Sequence, residues 1–372
     1  MGQDDEIAGG TPHPERSNPA SMLVGMTLDG GWKVVERAQT RPGATGANFS
    51  VGYIVEASSG QRAYLKALDF FSRIAESKDP ARELQPLLEA FNFERDLLSQ
   101  CRDRRLSRVV MAIADGKVTV PRVAGIATVQ YIIFELAEGD VRVQMDAAER
   151  FDAAWALRAL HQIATGLRQL HGIGAAHQDL KPSNVLLFDG RTSSKVADLG
   201  RAAVRGQRPP HEDDVVAGDP AYAPPEVLYG EPPTDWAARR IGCDAYHLGS
   251  MIVFFFTTGS MTPLLLSYLD RSHWPHQWVG SYLEVLPYLY SAFEKALHDV
   301  EQLIPDAERG ELIQIVRQLC EPDPGLRGHP KNRQIPGNRY SLERYVAWLN
   351  LLATRAEHRM TGGQRGSGVV TV

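Results

Sequence analysis

His177-Gln178-Asp179-Leu180-Lys181-Pro182-Ser183-Asn184 follows a helix-like run and precedes a hydrophobic, strand-like run, and its reading decides the fold. A carboxylate, an ammonium and an amide fall within one short loop. Together they are suited to holding a hydroxyl, a transferring phosphoryl group and a metal ion in one place. The bland alternative is a polar turn joining a helix to a strand, which rarely gathers functional groups this densely.

Downstream of the loop, residues 185–188 and 195–197 read as short strands around the turn Asp189-Gly190. Helical patterns then dominate, over residues 244–258, 288–304, 310–319 and 341–353, and a further helix over 152–172 precedes the loop. Toward the N-terminus the pattern changes. Residues 32–36, 49–57 and 62–68 read as an antiparallel meander separated by turn residues. A long helix is expected over 79–103, and two more strands over 109–114 and 129–136. Glu138-Gly139-Asp140 breaks the strand pattern, so a strand-rich part and a helix-rich part meet near 137–141. Residues 1–25 read as a flexible arm and 357–372 as a disordered tail, since both are rich in Gly and polar residues.

The chain has 372 residues, enough for two lobes or two domains. A net charge of −5 at pH 7 argues against a generally basic nucleic-acid binder. The three cysteines, Cys101, Cys243 and Cys320, lie far apart without zinc-ligand spacing, so a reducing cytoplasm is the expected location. The longest apolar stretch, residues 248–266, is interrupted by Gly, Ser, Thr and Pro. It reads as a buried core helix, and no membrane partner is expected. The oligomeric state is left open.

The ordered motifs resemble those of eukaryotic-type (Hanks-type) serine/threonine protein kinases, over residues 30–355. The opening loop resembles H-R-D-L-K-P-x-N. Asp198-Leu199-Gly200 resembles D-F-G, with Leu199 for Phe. Ala63-Tyr64-Leu65-Lys66 resembles V-A-I-K, and Gly218 to Glu226 resembles G-T-x-x-Y-x-A-P-E, with Pro224 for Ala. Asp244 to Gly249 resembles D-x-W-S-x-G. The resemblance implies an α+β, bilobal fold. Residues 26–138 would form a small antiparallel-sheet lobe with one long helix, and 139–356 a larger, mainly helical lobe. We expect a bacterial member of the family.

The same resemblance implies roles. Asp179 would orient the attacking hydroxyl and Lys181 would neutralise the γ-phosphate of ATP. Asn184 and Asp198 would ligate Mg2+, with Mn2+ as a substitute. Lys66 would bind the α- and β-phosphates and pair with Glu94. Glu83 and Glu89 compete for that role, because the helix phase is uncertain by a turn. Phe134 would stand beside the adenine, Glu135 and Ala137 would offer it backbone groups, and Ala63 with Leu187 or Leu186 would sandwich it. Asp140 would reach the ribose. Glu226 would pair with a buried Arg327. The phosphate-covering loop is the poorest match: Gly46, Phe49 and Ser50 are candidates, but the glycines miss the expected spacing, and a plain hairpin turn is the competing reading.

Three departures carry expectations. Gln178 stands where many kinases have an Arg that binds a phosphate on the activation segment. That segment, residues 198–226, contains no Ser or Thr, so activity independent of its phosphorylation is expected. Glu212, Asp213 and Asp214 are expected to pair with Arg201, Arg205 or Arg208, although a solvated acidic loop fits equally well. Asp219 replaces the Thr that bridges the catalytic Asp and Lys. The expected partner is a protein substrate, and the alternative is a pseudokinase scaffold. The aromatic-rich residues 268–290 read as a satellite core or as a partner surface.

Overall fold

In the computed structural model the described residues are 18–365, except 40–49, 75, 76, 78, 122, 124–126 and 149. The chain divides into two compact units, Met1–Leu88 with Ala112–Leu136, and Glu89–Met111 with Ala137–Val372. The elements make an α+β protein, with an antiparallel sheet toward the N-terminus and helices toward the C-terminus.

The first unit is built on β1 (Lys33–Arg37), β2 (Ser50–Glu56), β3 (Arg62–Leu68), β4 (Ala112–Thr119) and β5 (Thr128–Glu135). They form one antiparallel sheet in the order β1-β2-β3-β5-β4. Period-two alternation decides which face is covered. Val51, Tyr53 and Val55 on β2 and Ala63, Leu65 and Ala67 on β3 are buried, with Val129, Tyr131 and Ile133 from β5. Ala20, Leu23, Leu28 and Trp32 join this core, and the Tyr53 hydroxyl donates to the Ala20 carbonyl at 2.6 Å. The flexible arm expected over residues 1–25 is therefore corrected for residues 18–25, whose Ala20 and Leu23 cap the sheet core, while 1–17 lie outside the described residues. The short helix α1 (Phe70–Ile74) follows β3, and α2 (Pro80–Asp103) follows it, contributing to both units. The expected long helix thus divides, its latter part from Glu89 belonging with the helical unit.

In the second unit the chain runs through β6 (Gly139–Asp140), α3 (Val141–Ala147), α4 (Ala153–Gly172), β7 (Ala175–Ala176), β8 (Val185–Phe188), β9 (Ser193–Val196) and β10 (Ala203–Val204). The helices α5 (Pro225–Leu228), α6 (Gly242–Thr257), α7 (Met261–Ser267), α8 (Tyr282–Leu303), α9 (Asp306–Leu319), α10 (Pro330–Arg333) and α11 (Glu343–Arg365) follow. Asp152 caps α4 by accepting the Trp155 N–H at 3.0 Å, which satisfies one of the orphan donors of the first turn. Nearly every residue of α6 is buried, so it is the central core helix of this unit. Among the described residues no single helix is long and apolar enough to cross a membrane. Residues 237–257 and Met261–Ser267 meet that test only as a pair, across a 79° bend.

Two helices extend furthest beyond expectation. α8 begins at Tyr282, ahead of residue 288, because Ser281 and Glu284 form a capping box that outweighs Pro287 inside the helix. α11 continues to Arg365, so the disordered tail expected over 357–372 is corrected for residues 357–365, while 366–372 lie outside the described residues. Arg158 of α4 forms paired bonds to Glu357 at 2.8 Å and reaches Asn350 at 2.7 Å, which fastens α11 along α4.

Candidate active site

The opening loop lies between α4 and β8, and its backbone is held from below by α6. Asp244, fully buried, accepts the N–H groups of His177 (2.8 Å) and Gln178 (2.9 Å), and His171 Nε2 lies 2.8 Å from it. Burial pushes the Asp244 carboxyl up, but His171, His177 and His247 together outweigh it and hold it down at about 2. His177 bonds the Ala197 carbonyl through Nε2 at 2.9 Å, so its Nδ1 is the acceptor for the Asp179 N–H at 3.3 Å.

This scaffold gathers Asp179, Lys181 and Asn184. Lys181 Nζ lies 3.1 Å from Asp179 Oδ2. The Asn184 amide nitrogen donates to the Asp179 carbonyl (2.8 Å) and to Oδ2 (3.1 Å). With its nitrogen end so used, the oxygen end of Asn184 is the end suited to a cation. Asp179 Oδ1 accepts the Asp219 N–H at 2.8 Å. Burial pushes the Asp179 carboxyl up. Lys181 pulls it down, Asp198 pushes it up again and the Asp219 N–H lowers it; the net direction is upward. A Cβ on Gly218 would lie 2.5 Å from the Gln178 carbonyl, so only glycine allows this approach of the segment to the loop.

Asp198 is half-buried in the left-handed region, with φ 61°, a conformation that a non-glycine residue holds only where its surroundings enforce it. Its carboxylate and the oxygen end of Asn184 are hard oxygen donors. Such a pair fits a magnesium ion that takes its remaining ligands from phosphate and water. Among the described residues no group of three or more His, Cys, Asp or Glu could hold a metal by itself. Glu94 is buried, whereas Glu83 and Glu89 are exposed. A Cβ on Gly200 would lie 3.5 Å from the Glu94 carboxylate, which places that group beside the Asp198-Leu199-Gly200 turn.

The remaining expected residues sort by strand geometry. Lys66 lies on β3 in the sheet unit, half-buried, facing away from the sheet core. Ala63 lies on the opposite face, fully buried in that core, so its assignment as an adenine contact is corrected. Tyr64 shares the Lys66 face, with Phe134 opposite it on β5. Sequence reasoning missed Tyr64, although counting alternate positions back from Lys66 finds it. Glu135 ends β5, and Ala137 and Asp140 belong to the helical unit. Asp140 caps α3 by accepting the Val143 N–H at 2.9 Å. Leu187 is 1% exposed, whereas Leu186 is half-buried, so exposure on β8 favours Leu186 of the two candidates. Ser50 opens β2, while Gly46 and Phe49 lie outside the described residues.

The activation segment is tied down by charge. Arg201 pairs with Asp214 at 2.8 Å and Arg208 with Asp213 at 2.7 Å. Glu212 departs from expectation: it bonds Arg239 (2.6 Å) and Arg240 (2.5 Å), on the π-helical turn Ala237–Ile241. Arg205 lies over the Trp236 ring, 4.7 Å from its centroid. Gln178 is buried in the left-handed region, with φ 68°. Its side chain donates to the Arg240 carbonyl (2.8 Å) and to Asp244 (3.1 Å), and it accepts from the Arg240 guanidinium (3.2 Å). Farther on, Glu226 and Arg327 form a fully buried two-bond pair at 2.7 and 2.8 Å, as expected from the sequence. Burial alone would lower the Arg327 guanidinium, but Glu226 outweighs it and raises it.

A family model described as "Protein kinase domain" matches residues 51–330. The human "Serine/threonine-protein kinase H1" is 33% identical over 134 residues, covering 35% of this chain and 30% of that protein. The rice (Oryza sativa subsp. japonica) "Cyclin-dependent kinase F-3" is 33% identical over 178 residues, 45% of this chain and 38% of that protein. The mouse "Serine/threonine-protein kinase ICK" is 29% identical over 205 residues, 53% of this chain and 31% of that protein. The chain thus spans about a third of the length of these curated relatives.

Proposed function

This chain belongs to the protein kinase family, and from that premise we propose that it transfers the γ-phosphoryl group of ATP to serine and threonine hydroxyls of protein substrates. One observation carries the reading: Asp179 is buried, bonded at the same time to Lys181, Asn184 and the Asp219 N–H, and left with its carboxyl pushed up. An acid held this rigidly suits the orienting of an acceptor hydroxyl.

In this reading Asp179 accepts a hydrogen bond from the substrate hydroxyl and takes its proton as the oxygen–phosphorus bond forms. Lys181 then releases part of its hold on Asp179 to meet the charge on the γ-phosphoryl oxygens. Lys66 meets the charge on the α- and β-phosphates. A magnesium ion held by Asp198 and Asn184, when bound, would neutralise phosphate charge and favour departure of ADP. Lys181, two residues after Asp179, supports Ser/Thr over Tyr as acceptor by family resemblance, and the names of the relatives support the same choice.

Independence from activation-segment phosphorylation belongs to the same proposal. It is supported by the hydroxyl-poor segment and by Gln178 in place of the phosphate-binding Arg. A second reading, a scaffold with the fold and little transfer, draws on Asp219. Its carboxylate lies 3.8 Å from Lys181 Nζ and competes for the charge meant for phosphate. The test is incubation with labelled ATP and magnesium, beside Asp179→Ala. Labelled protein that disappears in the variant supports transfer. Bound nucleotide without transfer favours the scaffold.

A further inference from the structure

Within the acidic cluster of residues 212–214, Asp213 and Asp214 pair with arginines of the segment itself, whereas Glu212 reaches outside it. The cation it meets, Arg240, is wired to the catalytic loop. We propose that Glu212, Arg240 and Gln178 form a permanent clamp that positions the loop bearing Asp179. The proposal rests on the kinase reading above and names how that site is held ready.

The chain of contacts is continuous. Glu212 takes Arg240 by one carboxylate oxygen and Arg239 by the other, so neither arginine can rotate without breaking a charge-assisted bond. Arg240 is buried, which strengthens its pairing and makes loss of the partner costly. From Arg240 the link passes to Gln178 through both ends of its amide, one to the guanidinium and one to the main-chain carbonyl. An arginine at position 178 would repel Arg240, whereas the neutral amide accepts from it and donates to its backbone. Gln178 and Asp244 then fix the backbone immediately before Asp179. Consecutive residues on a regular helix point about 100° apart. Arg239 and Arg240 both lie on the π-helical turn Ala237–Ile241, and both side chains nevertheless meet one carboxylate. The fixed carboxylate of Glu212 thus does the work of a phosphate, with no modification needed.

Glu212, Arg240 and Gln178 act here as positioning residues, since none touches a reacting atom. The test compares the full-length protein with Glu212→Gln and Glu212→Asp, using histone as acceptor and trypsin as probe. Trypsin reads the segment at Arg201, Arg205 and Arg208, whether or not the protein transfers phosphate. In Glu212→Gln we expect kcat to fall about tenfold, with KM for ATP unchanged and cleavage in the segment several-fold faster. Glu212→Asp should recover part of both. Unchanged kcat in Glu212→Gln, or kcat and KM for ATP failing together, overturns the clamp. Should the wild-type protein transfer phosphate neither to histone nor to itself, the transfer reading falls, and trypsin alone decides: faster cleavage supports the clamp, and equal rates overturn it.

Discussion

In the proposed mechanism Asp179 sets the pH behaviour of the site. Its carboxyl is pushed above the ordinary carboxylate range, chiefly by burial. Only the ionised form accepts a hydroxyl proton, so activity should rise with pH through a midpoint above about 4, the value of a solvated aspartate. Lys181 is the strongest influence holding that midpoint down, at 3.1 Å. Lys181→Ala should therefore move the acid limb of the kcat/KM profile to higher pH, besides lowering its height. A limb that stays in place would show that another group titrates. Most side chains of the loop are legible from sequence, because the chemistry demands those types in that order. Gln178 is legible only as an absence. Its amide could have faced solvent, and its bonds to Arg240 depend on an element far along the chain.

At the scale of elements, the buried pair of Glu226 and Arg327 joins the start of α5 to the loop after α9. Arg327 also donates to the carbonyls of Glu321 and Gly242, and its guanidinium lies 5.2 Å from the centre of the Tyr246 ring. Arg327→Met would leave Glu226 charged and buried without a partner. Unfolding in denaturant should show a loss of about 3–5 kcal/mol, far beyond the effect of removing an exposed pair such as Arg208 and Asp213. This pair was readable because its two motifs are distinctive. Helix limits were less so. The S-x-x-E signal at 281–284 stands in the sequence, yet Pro287 argues against a helix through it, and the capping box prevails with Tyr282 and Val285 buried beneath it. The end of α11 depended on Arg158, a residue nearly two hundred positions away. The side of β3 on which Ala63 lies was readable from alternation alone, and resemblance to V-A-I-K drew attention to the wrong neighbour.

For the molecule as a whole, the proposed clamp predicts an enzyme ready as folded. Protein treated with phosphatase and freed of it should phosphorylate histone at a rate within about twofold of untreated protein. A loss of activity on treatment would reject independence from phosphorylation. The described surface also retains an aromatic group away from the site. His273 stacks on Tyr288 with ring centres 3.9 Å apart and Trp278 beside them, while Tyr282 is buried. The 268–290 stretch is thus part core and part surface, a mixture that composition alone could not divide.

The π-helical turn at Ala237–Ile241 makes the link from Glu212 to Gln178 a matter of chain length as much as of residue identity. An added residue in a helix turns everything before it by about 100° relative to everything after it. Deleting Ile241, between Arg240 and α6, would keep both arginines in the sequence and swing them about 100° relative to α6 and off their acid. A family of such proteins could therefore gain or lose this form of readiness through a single-codon deletion, with every recognisable motif intact.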